Sequence, residues 1–146
     1  MPVAHINVLK GHSRPQLRKA IVDVSAVLMR VLEAPADRLE VWVTEIDPEL
    51  WGISGVPAKE VLEGSPMKEV EMPFIQMVIM RGRSKEQHHA LIEGVTAAVA
   101  NALEMGPQKI RLHIAETEPD LWGIGGVPAS VRRAAEIQAR AESQAA

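Results

Sequence analysis

An internal repeat limits the fold of this chain more strongly than any other feature of its sequence. The segment Pro-Glu-Leu-Trp-Gly-Ile-Ser-Gly-Val-Pro-Ala at 48–58 recurs at 119–129 with nine of eleven positions identical, a shift of 71 residues. The same shift aligns Pro2 with Pro73, Gly11 with Gly82, and Glu45 with Glu116. Such self-similarity indicates that one structural unit occurs twice. We therefore predict a first unit at 2–58, a charged linker at 59–72, a second unit at 73–129 and a tail at 130–146.

Each unit has the pattern of a strand followed by a helix. Apolar runs of strand length occupy residues 3–9 and 74–80. Capping boxes then predict helix starts at Ser13 with Gln16 and at Ser84 with Gln87. Apolar residues follow at helical spacing, and the helix ends are indicated by Pro35 and Gly106.

A second strand is expected after each helix, at 39–46 and at 109–115. The Trp-Gly-Ile-Xaa-Gly segment that follows indicates a hairpin or loop. A strand-helix-strand order implies a right-handed crossover and a parallel strand pair. The predicted fold is therefore α+β, with two tandem βαβ repeats forming a four-stranded sheet and two helices on one face. The Ala/Arg/Glu-rich tail is predicted to be a peripheral helix or frayed.

Composition excludes several classes of function. The 146 residues include 16 Lys and Arg against 19 Asp and Glu, a net charge of -3, which gives no electrostatic reason to expect nucleic acid or an anionic membrane as partner. The absence of cysteine removes disulfides, thiol catalysis and Cys-ligated zinc. The five histidines show no metal-ligand spacing, and no phosphate-binding loop or nucleophile triad is present. With no signal peptide and no apolar run of about 18 residues, a cytoplasmic protein is expected.

Pro2 is the first candidate for chemistry, because Met1 is usually removed when a small residue follows it. Removal would leave a free secondary amine on a rigid ring that leads directly into a strand. Burial and nearby cations would lower the pKa of this amine towards neutrality, which suits a general base. The alternative is that Pro2 does no more than permit the removal of Met1.

Arginines in the second unit are the next candidates. Arg81 and Arg83 follow its first strand, and Arg111 falls within its second. A guanidinium group binds a carboxylate through two parallel hydrogen bonds. The first unit has different residues at the matching positions: Lys10, His12 and Glu40. The alternative is a solvated strand face whose charges protect a sheet edge.

Trp51 and Trp122 each precede Gly-Ile in an otherwise polar loop. An exposed tryptophan is unfavourable unless it packs, so both are interpreted as interface anchors or as pocket walls. Packing against a neighbouring subunit is the favoured single role.

Four features together resemble the tautomerase superfamily, and most closely its 4-oxalocrotonate tautomerase branch. They are the start Pro-Val-Ala-His-Ile-Asn-Val-Leu-Lys-Gly, the Ser-capped helix, the Ala34-Pro35 turn and the Leu-Trp-Gly-Ile-Ser-Gly segment. The resemblance covers 2–58 and again 73–129, so the chain resembles a fused form with two family units in one polypeptide.

The resemblance implies that Pro2 is the catalytic base and that Arg83 and Arg111 match the arginines of the family. Pro73 stands at the same place in the second unit, but it follows Met72 in a peptide bond and has no basic amine. The tryptophans replace a phenylalanine of the family. The first unit would then supply the base and the second unit the cations, and half of the ancestral sites would be lost.

The resemblance implies keto-enol tautomerisation of a small 2-oxo or 2-hydroxy-dienoate carboxylic acid, without a cofactor. It also implies a homotrimer, which is a pseudo-hexamer of single units. Arg83 and Arg111 would hold the carboxylate and stabilise negative charge on oxygen, and the substrate site would also include Arg81, Trp122 and Trp51. Two alternatives stay open. The Arg81 and Arg83 pair is similar to pairs in the malonate semialdehyde decarboxylase and 3-haloacrylate dehalogenase branches, where Asp37 or Glu40 would activate water. The other alternative is a non-catalytic oligomeric scaffold.

Overall fold

A computed structural model describes residues 2–145, and the predicted removal of Met1 therefore concerns a residue outside the described part of the chain. The first repeat contains β1 (Val3–Leu9), α1 (Arg14–Leu32), β2 (Glu40–Ile46), β3 (Gly52–Ile53) and β4 (Val56–Pro57). Two short helices follow, α2 (Ala58–Leu62) and α3 (Met67–Val70). The second repeat contains β5 (Phe74–Met80), α4 (Lys85–Leu103), β6 (Arg111–Thr117), β7 (Gly123–Ile124) and β8 (Val127–Pro128). The chain closes with α5 (Ala129–Arg132) and α6 (Ala134–Ala145).

The sheet confirms the predicted α+β architecture. Strand β1 pairs in parallel with β2, and β5 pairs in parallel with β6. The two halves join through an antiparallel β1–β5 pair, giving the strand order β2-β1-β5-β6. Alternate residues of the central strands are buried under α1 and α4, as period-two side-chain geometry requires. This arrangement places the beginnings of β1 and β5 at opposite ends of the sheet centre.

Both predicted capping boxes are present, at Ser13 with Gln16 and at Ser84 with Gln87. The helix ends differ from the prediction, because α1 stops at Leu32 and α4 at Leu103. The next residue in each case is a glutamate in the left-handed conformation, with φ of 52° and 55°. A left-handed residue ends a helix, but glycine is its usual sequence signal, so these ends could not be recognised.

The segment at 59–72 is more ordered than a linker, because it carries most of α2 together with α3. Its Val70 joins a small buried cluster with Leu9, Ile53 and Ala58. The hairpins β3–β4 and β7–β8 occupy the two Trp-Gly-Ile segments, as expected. Helix α6 lies at the periphery and contributes no buried residue. Within residues 2–145, no helix combines the length and the apolar character needed to cross a membrane.

Candidate active site

Pro2 lies buried at the start of β1, where its carbonyl accepts a hydrogen bond of 3.2 Å from the backbone N–H of Glu40. Beside it is a cavity of about 60 Å³ between the end of α1, the end of β5 and helix α6. The charged side chains on its wall are four arginines and two glutamates: Arg38, Arg83, Arg133, Arg140, Glu33 and Glu136. We call this the Pro2 cavity. Its wall carries an excess of positive charge.

Arg83 is brought to Pro2 by the packing of α4 against α1. Its Nη1 donates a 2.7 Å hydrogen bond to the carbonyl of Leu32, the last residue of α1. Gln87 donates to the carbonyl of Val31 in the same way, over 3.1 Å. The final carbonyls of a helix lack partners within the helix and attract cations, so this contact holds the guanidinium group in place.

Burial is the main influence on the pKa of the Arg83 guanidinium group. Burial lowers the pKa of its guanidinium group to about 10, the charge of Arg140 acts in the same direction, and Glu33 opposes both. The group therefore remains charged at neutral pH. A half-buried cation beside Pro2 is suited to stabilise a developing negative charge.

Arg111 does not reach the Pro2 cavity of its own chain. It is the exposed first residue of β6, and its Nη1 donates to the carbonyl of Gln108 over 2.8 Å. It lines a separate cavity of about 570 Å³ together with Trp51 and Phe74. Within one chain, the structure thus brings Pro2 together with Arg83 and brings Arg111 together with Trp51.

Trp122 lies in a third cavity of about 350 Å³, whose wall also includes Asp37 and Glu40. Arg38 and Arg133 border both this cavity and the Pro2 cavity, so the two are neighbours. Arg81 is directed elsewhere: its exposed side chain forms an ion pair with Glu118 at 2.9 Å. The predicted pair of Arg81 and Arg83 is therefore not assembled in the Pro2 cavity.

At the equivalent place in the second repeat Pro73 is buried, and its neighbours Met72 and Phe74 line the cavity that contains Arg111. Glu71 is completely buried, and its carboxylate accepts hydrogen bonds from the backbone N–H of Leu9 at 2.7 Å and from His12 Nε2 at 2.8 Å. His12 aligns with Arg83 by the repeat shift. Sequence reasoning missed this pair, because Glu71 lies outside both repeats, in the segment predicted to be a charged linker.

Sequence reasoning also missed four residues of the Pro2 cavity. Arg38 and Glu136 form an ion pair of 2.5 Å across it, and Arg133 and Arg140 add two cations from the tail. The only sequence signal was the spacing of positions 133, 136 and 140, which places them on one face of a helix. Among residues 2–145, no group of three His, Asp or Glu side chains is arranged to hold a metal ion.

Comparison with known proteins agrees with this architecture. The model of the family described as tautomerase enzyme matches residues 2–60 and again residues 73–132. The 2-hydroxymuconate tautomerase of Pseudomonas sp. (strain CF600) is 44% identical over 63 residues, which cover 42% of this chain and 100% of that relative.

Two solved structures share the fold over most of the chain. Native fused 4-OT has a TM-score of 0.77 and 25% identity, covering 87% of this chain and 95% of that chain. An asymmetric trimer of the F6 fused 4-OT has a TM-score of 0.77 and 21% identity, covering 89% and 98%. The chain therefore belongs to the tautomerase family of isomerases, as a fused form that carries two 4-oxalocrotonate tautomerase-like units in one polypeptide.

Proposed function

We propose that this chain catalyses keto-enol tautomerisation of small 2-oxo or 2-hydroxy-dienoate carboxylic acids, with the secondary amine of Pro2 as general acid and base. The observation that carries the proposal is the shared cavity of Pro2 and Arg83, which come from different repeats. The 2-hydroxymuconate tautomerase relatives act on an acid of this class, as their name states. A conjugated enol acid would place its oxygen beside a fixed cation and an amine.

The proposed reaction moves one proton and changes no oxidation state. The Pro2 nitrogen removes the proton from the enol oxygen, whose electrons form the carbonyl as the double bonds shift. The same nitrogen then returns the proton to a carbon of the conjugated system. Arg83 stabilises the negative charge on oxygen, and its positive charge also favours the neutral, basic form of the amine. No cofactor is needed for these steps.

A homotrimer is the proposed assembly, with Arg111 of one copy completing the Pro2 cavity of another. The F6 fused 4-OT relative is a trimer. In this chain, Leu50 lines an open cavity together with Arg111 and Trp51, and its side chain is 81% exposed. An exposed apolar residue beside an aromatic one in such a cavity is typical of an interface between subunits.

The test of the reaction class is a comparison of substrates for the purified enzyme. We expect ketonisation of 2-hydroxymuconate and phenylenolpyruvate, followed by absorbance, to be much faster than release of carbon dioxide from malonate semialdehyde or of halide from 3-chloroacrylate. The ion pair of Arg81 with Glu118, outside the Pro2 cavity, favours this order. Decarboxylation or dehalogenation as the faster reaction would overturn the proposal, and absence of all four activities would favour a scaffold.

The second test is the mass of the intact protein. The mechanism requires that Met1 be absent, since an amide nitrogen at Pro2 cannot act as a base. We expect the mass of a chain that begins at Pro2. A fully active protein that retains Met1 would exclude catalysis by the proline amine.

A further inference from the structure

Helix α6 lies outside both family matches, the second of which ends at residue 132, yet it forms one wall of the Pro2 cavity. Arg133 directly precedes the helix, and Glu136 and Arg140 follow at spacings that place all three on one face. That face points to Pro2 and Arg83. The tail therefore adds charged groups to a site that the two repeats alone would leave open.

The added charges are mainly positive. Arg140 is half-buried, with its Cδ 3.9 Å from the position that a Cβ on Gly82 would occupy, just before Arg83. Arg133 is also half-buried, and its Nε has no hydrogen-bond acceptor within residues 2–145. The indole nitrogen of Trp122, in the adjoining cavity, is buried and equally without an acceptor in that part of the chain. Buried donors beside clustered cations favour an anionic oxygen ligand.

Helix α6 lies on the surface of the two repeats. None of its side chains is buried within residues 134–145, and Glu136 forms an ion pair with Arg38. An outward shift of α6 would widen the Pro2 cavity for an incoming acid, and its return would bring the two tail arginines to the ligand.

We propose that α6 is a substrate-binding element, in which Arg140 and Arg133 bind a second carboxylate of the substrate while Arg83 stabilises the charge on the reacting oxygen. This inference rests on the proposed function, and it adds to that site two substrate-binding residues, Arg133 and Arg140, which lie outside both repeats. The tail of the same chain then supplies cations to the site in addition to Arg83 and to Arg111 of a neighbouring copy.

The kinetic test compares a substrate with two carboxylates, 2-hydroxymuconate, with one that has a single carboxylate, phenylenolpyruvate. For Arg140→Gln we expect KM for the first to rise about tenfold, the loss of one charge-assisted contact, with kcat nearly unchanged. KM for phenylenolpyruvate should change less than about twofold, and Arg140→Lys should recover most of the loss. The matched control is Arg132→Gln, because Arg132 is exposed and does not border the Pro2 cavity.

Three results would overturn the inference: equal rises in KM for both substrates, the same kinetics in the Arg140 and Arg132 variants, or faster turnover after Arg140→Gln, which would make α6 an obstruction. Calorimetric binding of adipate, with hexanoate as the single-carboxylate control, supplies a readout without turnover. If the wild type does not ketonise either substrate, the proposed function fails, and adipate binding that is unaffected by Arg140→Gln rejects the role of α6 separately.

Discussion

At the start of β1, Pro2 borders a cavity walled by arginines, whereas at the start of β5 the equivalent Pro73 is buried and follows the hydrogen-bonded Glu71. Arg83, just before the N-cap of α4, is a half-buried cation at the first place. His12, just before the N-cap of α1, is paired with the buried Glu71 at the second. One scaffold thus holds a cationic cavity at one end and the hydrogen-bonded pair of His12 and Glu71 at the other. The difference shows that a repeated fold can keep its backbone while the side chains around two equivalent prolines diverge.

The covering segments explain how the two places diverged. Helix α3 packs against Gly11, and its Met67 Sδ lies 3.1 Å from the position of a Cβ on that glycine. Helix α6 packs against the equivalent Gly82 through Arg140. Helix α3 is followed by Glu71 and Met72 and then by β5, so Glu71 comes two residues before Pro73. Helix α6 instead borders the Pro2 cavity through Glu136 and Arg140.

The largest expected difference between the two places is in kcat/KM when the aligned residues Arg83 and His12 are substituted. Arg83→Gln should lower kcat/KM for 2-hydroxymuconate about a hundredfold, because a fixed donor to the developing oxyanion is lost. His12→Gln should leave kcat/KM almost unchanged, as should Arg81→Gln, whose ion pair lies outside the Pro2 cavity. Equal losses in the Arg83 and His12 variants would mean that both ends of the sheet are catalytic.

The next effect concerns stability at the packed end. Glu71→Ala removes the acceptor for the buried N–H of Leu9 and for His12, and we expect the free energy of unfolding to fall by about 2 kcal/mol. Urea unfolding at a fixed protein concentration measures it. Glu69→Ala is the control, since Glu69 is exposed and two residues away. Unchanged stability, or lost turnover in folded protein, would contradict a purely structural role for Glu71.

Substitution of Arg111 tests whether a neighbouring copy completes the Pro2 cavity. We expect Arg111→Gln to lower kcat/KM about tenfold, because one contact to the carboxylate is lost. Refolding this variant together with Pro2→Ala should restore activity, since some sites then combine an intact proline and an intact arginine from different chains. If the mixture is no more active than its components, Arg111 does not act across an interface.

The smallest expected effect is on stability, from the ion pair that joins α6 to Arg38. Arg38 lowers the pKa of the Glu136 carboxyl through a hydrogen bond and charge, so the ion pair stabilises the fold above the ordinary glutamate pKa of about 4.3 and loses this effect as the pH falls. Both side chains are partly exposed, and Glu136→Gln should cost less than about 1 kcal/mol at pH 7. Thermal unfolding at pH 7 and at pH 3 measures this. A larger loss at pH 7 would mean that α6 is firmly docked.

Much of the fold could be predicted because the repeat, the capping boxes and the strand-length apolar runs are local signals. Ser13 and Ser84 cap their helices as the sequence predicts, and Pro2 and Arg83, two predicted site residues, line the same cavity. The His12–Glu71 pair could not be predicted, because it joins residues 59 positions apart and depends on how the segment at 59–72 folds back. The place of Arg140 likewise depends on tertiary packing, which its Ala- and Glu-rich surroundings do not specify.

The most direct test of the central claim, that the Pro2 end alone is catalytic, is kcat/KM for Pro2→Ala measured beside Pro73→Ala on 2-hydroxymuconate. The first change replaces the ring amine beside Arg83, and the second replaces a buried ring without a free amine. We predict a loss of about a hundredfold or more for Pro2→Ala, the usual contribution of a general base, and a change within about twofold for Pro73→Ala. Equal rates in all three proteins, or equal losses in the two variants, would contradict the account.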